Sequence, residues 1–327
     1  MGGFYGARLA AAGHDVHFLL HSDYDHVQHH GLVLESPLGD VHLRPPNAYR
    51  DVHDMPPCDV VLVCLKTTSN NLLPVLLPPL LEEAGAVVLM QNGLGNEQLV
   101  QPLTGDRPLL GGLCFLCSNK VGPGHVRHLD YGRVTLAQHN AHEVTDTVQQ
   151  IGADLEATGV PVVLAPDLAL ARWKKLVWNV PFNPLSVLLD ALPQDLLEHP
   201  RTRSLVLDLM GEVQAGAAAC GHDIPDEFLA ANVADTEAMT PYRTSMKLDF
   251  DANRPLEIDA IVDAPARAAR AAGAPMPRTE ALAAALSFLQ PGPPPAAPGA
   301  DATRSTAAPV TRSWARSDSA RSASSNG

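Results

Sequence analysis

Two apolar runs without a polar interruption, Val60-Val61-Leu62-Val63-Cys64-Leu65 and Ala86-Val87-Val88-Leu89-Met90, stand out along the chain. Parallel strands covered on both faces need this pattern, so both runs are placed at the centre of a sheet. Before them, Phe4, Leu9 and Ala12 recur at helical spacing and Gly13 supplies a C-terminal cap, so the chain opens on a helix. Residues 15–20 then read as a strand, with Ser22 capping a short polar helix. Residues 32–35 and 41–43 read as a hairpin about the Pro37-Leu38-Gly39 turn. Further strands are predicted at 109–117, near Val126, at 134–136 and at 160–164, with an amphipathic helix over 143–158.

The period changes after Pro166. Residues 168–180, 185–197, 203–220, 257–272 and 279–289 all read as helices, and strand patterns cease. The expected architecture is therefore an α/β, Rossmann-like doubly wound sheet over 1–165, followed by an all-helical domain over 166–290. Residues 291–327 hold six prolines among Ala and Ser with no periodicity, and are expected to be a disordered tail.

Composition adds exclusions. The formal charge is −13, and the tail carries four arginines against two aspartates, so the acidity lies in residues 1–290 and a nucleic-acid partner is not expected. No apolar run reaches a membrane-spanning length and no secretory leader is evident, so a cytoplasmic protein without a membrane partner is expected. Five scattered cysteines do not make a disulfide framework, and Cys114 and Cys117 fall inside an apparent buried strand, where packing is the plainer role. His26 and His30 share a helix face, but nothing completes a ligand set, and no metal site is assigned.

Met1-Gly2-Gly3-Phe4-Tyr5-Gly6-Ala7-Arg8-Leu9 matches the end of a G-x-G-x-x-G dinucleotide fingerprint, with Gly2 at the last glycine and Gly3 running into the helix. The strand and the two glycines that come first in such a fingerprint are not in the sequence. The expectation is a Rossmann-like sheet lacking its first strand, explained by an internally placed start with about ten residues encoded upstream. The rival is a defective copy. After the second strand of such folds an acid selects NAD and a basic residue suits NADP; here the position is His21, which leans to NADP, while Asp23 and Asp25 keep NAD open.

The densest chemistry lies in Arg172-Trp173-Lys174-Lys175-Leu176-Val177-Trp178-Asn179-Val180-Pro181-Phe182-Asn183-Pro184-Leu185-Ser186. Steps of four residues turn a helix by about 40°, so Lys175, Asn179 and Asn183 form one polar stripe among apolar neighbours. On spacing alone, a snorkelling lysine with locally satisfied amides fits as well, because Pro181 and Pro184 disturb the helix.

Resemblance separates these readings. The pattern K-L-x-x-N-x-x-x-N-P-L is similar to the signature of the ketopantoate reductase (2-dehydropantoate 2-reductase) family. Leu65-Lys66-Thr67, Gln91-Asn92-Gly93-Leu94-Gly95, Gly124-His125-Val126-Arg127-His128 and Ser245-Met246-Lys247-Leu248-Asp249 with Glu257-Ile258-Asp259 follow in the family's order. The resemblance implies NADPH-dependent reduction of ketopantoate to pantoate in a cleft between two domains, with Lys175 as general acid. It implies Asn92, Asn179, Asn183 and Ser245 on the substrate, and Gly2, Gly3, His21, Lys66, Asn92 and Glu257 on NADP(H). A homodimer is the working expectation for assembly. The competing expectations are an inactive remnant of the family and a related 2-oxoacid reductase with another substrate.

Overall fold

In the central strands the apolar runs divide by residue parity. Val88 of the strand Ala86–Leu89 packs with Phe4, Tyr5, Val148 and Ile151, whereas its neighbours Val87 and Leu89 pack with Leu73, Leu77 and Val100. Each face of the sheet is thus covered by helices, which is why the run carries no polar residue. Burying an apolar side chain of this size contributes about 1.5–3 kcal/mol, so these strands anchor the fold. The computed structural model describes residues 1–81 and 85–290; the tail expected at 291–327 lies outside them.

In chain order the α/β part comprises α1 (Gly2–Ala11), β1 (His17–Leu19), α2 (Tyr24–His30), β2 (Leu32–Glu35), β3 (Val41–Leu43), β4 (Asn47–Tyr49) and β5 (Val60–Val63). It continues with α3 (Leu73–Leu80), β6 (Ala86–Leu89), α4 (Asn96–Thr104), β7 (Leu109–Gly122), β8 (His125–Gln138), α5 (Asp146–Glu156) and β9 (Val162–Leu164). The sheet order is β3-β2-β8-β7-β6-β5, with β9 also on β8. β5, β6 and β7 run parallel, and β7 and β8 form a long antiparallel hairpin. The sheet is therefore mixed, with β2 and β9 also running parallel to β8. β8 is long enough to pair β2 through 125–127 and β9 through 134–136.

β1 and β4 pair in parallel as a separate two-stranded sheet. β4 escapes the sequence pattern because Asn47-Ala48-Tyr49 is short and lies beside prolines. Among the described residues β1 has no ladder to β5, so the parallel order is interrupted between them. The α2 cap also differs from expectation: Asp23, not Ser22, is the N-cap residue, and its carboxylate is drawn away to the Gly124 N–H at 3.1 Å and to Lys120.

The helical part holds α6 (Leu168–Leu189), α7 (Pro193–Glu198), α8 (Pro200–Ala219), α9 (Asp226–Ala238), α10 (Ser245–Asp251), a π turn at Asp259–Asp263, α11 (Ala264–Ala271) and α12 (Pro277–Leu289). α6 runs through Pro181 and Pro184, where two separate helices were expected. The prolines remove the donors for the Val177 and Val180 carbonyls. Burial compensates: Trp173, Val177, Val180, Phe182 and Leu185 all pack in the core of this part. No helix among the described residues is long and apolar enough to cross a membrane.

Candidate active site

The Asp167 side chain accepts from the Leu170 N–H at 2.9 Å and so caps α6, fixing its phase. With that phase set, Lys175, Asn179 and Asn183 descend one buried stripe, at 7%, 5% and 1% exposure. The Lys175 Nζ donates to the Cys114 carbonyl of β7 at 2.5 Å and lies 5.0 Å from the Phe115 ring centroid. Burial brings its ammonium down to about 8; the Cys114 thiol and Glu257 oppose that shift, and the Arg172 cation adds to it.

The amides on this stripe are not locally satisfied. Asn179 Nδ2, both polar atoms of the Asn183 amide and Ser186 Oγ are buried without a protein partner. Buried polar groups are almost always bonded, so a run of orphans along one helix face is suited to a polar ligand. The snorkelling alternative fails for Lys175, whose charged end is itself buried.

Two further segments join the α/β part to the helical part. Asn92 sits in the turn after β6, and its carbonyl accepts from Asn96 Nδ2 at 2.8 Å. Gly93 adopts φ of +91°, and a Cβ there would lie 2.3 Å from the Ala260 carbonyl oxygen, so only glycine allows the approach. The next residue bonds across it, with the Leu94 N–H donating to the Ala260 carbonyl at 2.8 Å. That carbonyl is free because the Ala264 N–H is taken by Asp259 in the π turn and Pro265 has no N–H to offer.

Glu257, just before the π turn, reaches the opposite wall. Its Oε1 accepts from the Thr67 N–H at 2.9 Å and the Thr67 hydroxyl at 2.8 Å. Beside it Lys66 forms an ion pair with Asp249, which also holds Arg254 at 2.8 Å. Lys66 and Thr67 are thus joined to Asp249 and Glu257 of the helical part, and the charge of Glu257 bears on Lys175. Ser245, the first residue of α10, is exposed, and among the described residues no hydrogen bond joins it to α6; the buried Thr244 beside it caps the helix instead.

Gly2 and Gly3 open α1, whose N-terminus carries no side-chain cap and no acidic residue in its first turn. A Cβ at Gly2 would meet Cys64 at 3.2 Å, and one at Gly3 would meet Val126 at 2.8 Å, so this helix end needs its glycines to lie against the sheet. Uncapped N–H groups at a glycine helix start fit the phosphates of a dinucleotide. His21 is exposed just past β1.

Sequence reasoning missed Arg172, Glu97, Thr67 and the Cys114 carbonyl. Arg172 and Glu97 form a buried ion pair at 2% and 4% side-chain exposure. No periodicity marks such a pair, although an arginine within an apolar helix face calls for an acid somewhere in the chain. Cys114 and Cys117 are free thiols buried in β7, and burial pushes Cys117 up to about 12.

The comparisons with known proteins agree along nearly the whole described chain. A family model described as "Ketopantoate reductase PanE/ApbA" matches residues 1–141, and the corresponding C-terminal model matches 167–290. The 2-dehydropantoate 2-reductase of Nostoc sp. (strain PCC 7120) is 50% identical over 294 residues, covering 88% of this chain and 92% of that protein. The crystal structure of 2-dehydropantoate 2-reductase from Geobacter metallireducens GS-15 is 40% identical with a TM-score of 0.85, covering 88% of this chain and 96% of that one. That of the Methylococcus capsulatus enzyme is 34% identical with a TM-score of 0.81, covering 88% and 93%.

Proposed function

Since the chain belongs to the ketopantoate reductase family of oxidoreductases, we propose that it reduces 2-dehydropantoate to (R)-pantoate with NADPH, in the pathway to pantothenate and coenzyme A. The observation that carries the reading is the buried Lys175–Asn179–Asn183 stripe with its orphan amides, where the charge of Glu257 bears on Lys175. In this reading residues 1–165 hold the cofactor and 166–290 supply the substrate groups.

The cofactor, when bound, supplies the hydride that adds to the ketone carbon. Lys175 holds the proton that goes to the ketone oxygen, and its ammonium stabilises the developing alkoxide in a site shielded from water. A lysine near 8 suits this role, because it is charged at neutral pH yet gives up its proton more readily than a free lysine. Asn179, Asn183 and Ser245 orient the substrate's carboxylate and hydroxyl, and Asn92 holds substrate and nicotinamide together; these are positioning roles. The Gly2 and Gly3 amides would receive the pyrophosphate, His21 would favour the 2′-phosphate, Lys66 would border the bound cofactor, and Glu257 would meet hydroxyls of cofactor or substrate.

The test is NADPH oxidation by the purified chain with ketopantoate, beside Lys175→Ala and a blank without substrate. NADH and a panel of other 2-oxo acids run in parallel. Turnover with ketopantoate and NADPH that disappears in Lys175→Ala is expected. Equal or faster turnover of another 2-oxo acid would overturn the substrate assignment, and a folded chain without turnover on any of them would overturn the enzymatic reading.

A further inference from the structure

Arg172 lies one helical turn before Lys175 on α6, and its side chain leaves the helical part altogether. It passes over β7 at Gly111, where an added Cβ would stand 3.0 Å from Arg172 Nη2, and enters the α/β part beneath the turn that carries Asn92. There Nη1 donates to the Gln91 carbonyl and Nη2 to Glu97 Oε1. Glu97 is in the first turn of α4, where the helix dipole favours a carboxylate. Gln91 extends the same frame, its Nε2 donating to the Leu65 carbonyl at 2.9 Å and to Asn70 Oδ1 at 2.7 Å. A single guanidinium fork therefore joins the helix of Lys175 to the residues on either side of the Asn92 turn.

Such a link is costly merely as a structural element. Both charges are withdrawn from water, and a well-packed apolar pair of similar volume would serve stability as well or better. Its geometric content is what an apolar pair lacks: two directed bonds from one planar group to two different points of the facing segment. We propose that Arg172, held by Glu97, is a positioning residue for the reaction, fixing the Asn92 turn at a set distance from the Lys175 ammonium and presenting a permanent positive charge one turn away from it. The proposal rests on the reductase reading above for its kinetic consequence, but its electrostatic consequence does not need substrate.

Several groups bear on the Lys175 charge: Arg172 on its own helix, Cys114 and the Phe115 ring on β7, and Glu257 from before the π turn. Behind Cys114 stand Tyr5 and the Cys64 thiol, with the amino terminus close to both cysteines. Among these, Arg172 is the permanent cation within the same helix turn, and Glu97 neutralises it through Nη2. Changing the two partners should therefore move the Lys175 titration in opposite directions, an outcome that loss of packing alone does not produce.

The experiment compares Arg172→Met, Glu97→Gln, Arg172→Lys and the double variant Arg172→Met/Glu97→Gln with the parent. Two measurements are made: titration of Lys175 by NMR of its ε-carbon in the ligand-free protein, and kcat and KM for ketopantoate across pH. Arg172→Met should raise the Lys175 titration midpoint and Glu97→Gln should lower it, each by about one pH unit. Arg172→Lys, which keeps the charge without the fork, should leave the midpoint near the parent value. The double variant, which buries no lone charge, should remain folded and lose about 10–100-fold in kcat with a smaller change in KM. Midpoints that do not move, or a double variant with the parent's kcat, would overturn the proposal, as would failure of all four to fold, which would assign the pair to stability alone. Absence of ketopantoate turnover in the parent would instead overturn the reductase reading, while the NMR titration would still decide the electrostatic role.

Discussion

The Glu257 carboxylate accepts two hydrogen bonds from Thr67, at 2.9 Å from its N–H and 2.8 Å from its hydroxyl, and so ties the helical part to the segment after β5. Thr67→Val keeps the backbone donor and removes the hydroxyl. The expected cost is about 1 kcal/mol, because the bond runs to a charged acceptor yet is one of two. Thermal unfolding measures it, and an unchanged Tm would show that the hydroxyl adds nothing to the clasp.

Lys175 is near 8 in the folded chain against 10.5 for a free lysine. Between these values the unfolded chain binds more protons, so the burial cost is fully present below about 8 and is relieved as pH rises towards 10.5. Lys175→Met should therefore stabilise the protein at pH 7, by about 1–2 kcal/mol, and the gain should fade by pH 10. Denaturant unfolding at both pH values reads this directly.

The same titration predicts the pH dependence of turnover. A general acid must carry its proton, so kcat/KM should fall as pH rises through about 8, with the slope of a single proton. A profile flat to pH 10 would remove Lys175 from the proton-donor role.

Asn183 has no bonded polar atom in its side chain, so its amide costs stability in the ligand-free protein. Asn183→Leu should leave Tm unchanged or raise it while increasing KM for the keto acid about tenfold or more. A fall in Tm with unchanged KM would make the residue structural.

At Gly93 an alanine Cβ would fall 2.3 Å from the Ala260 oxygen on a backbone of φ +91°. Gly93→Ala should cost about 1–3 kcal/mol and weaken NADPH binding, because the Asn92 turn must retreat from the helical part. Calorimetric titration with the nucleotide and thermal unfolding together test it.

Much of this was legible from the chain. β5 and β6 declared themselves because burial on both faces leaves no room for polar residues, whereas the period of four placed Lys175, Asn179 and Asn183 on one face and only the family resemblance gave that face a role. Other features depend on tertiary context. The continuity of α6 through Pro181 and Pro184 is set by burial around it, not by local propensity. The pairs Arg172–Glu97 and Lys66–Asp249 join residues 75 and 183 positions apart, and nothing local marks either partner. Ser245 is marked by its motif alone: it is exposed at the start of α10 beside the buried Thr244, and no spacing rule on the chain singles it out.

The bond between Leu94 and Ala260 runs from main chain to main chain, so neither side chain takes part in it. Either position can change its side chain over generations without cutting the link, provided residue 94 does not become proline. The constraint instead falls on their neighbours, Gly93, which must stay small, and Pro265, whose missing N–H leaves the carbonyl available. Mutational tolerance around the cleft should therefore be displaced by a few residues from the contact itself, so that a saturation scan finds the residues that bond more permissive than the residues that let them bond.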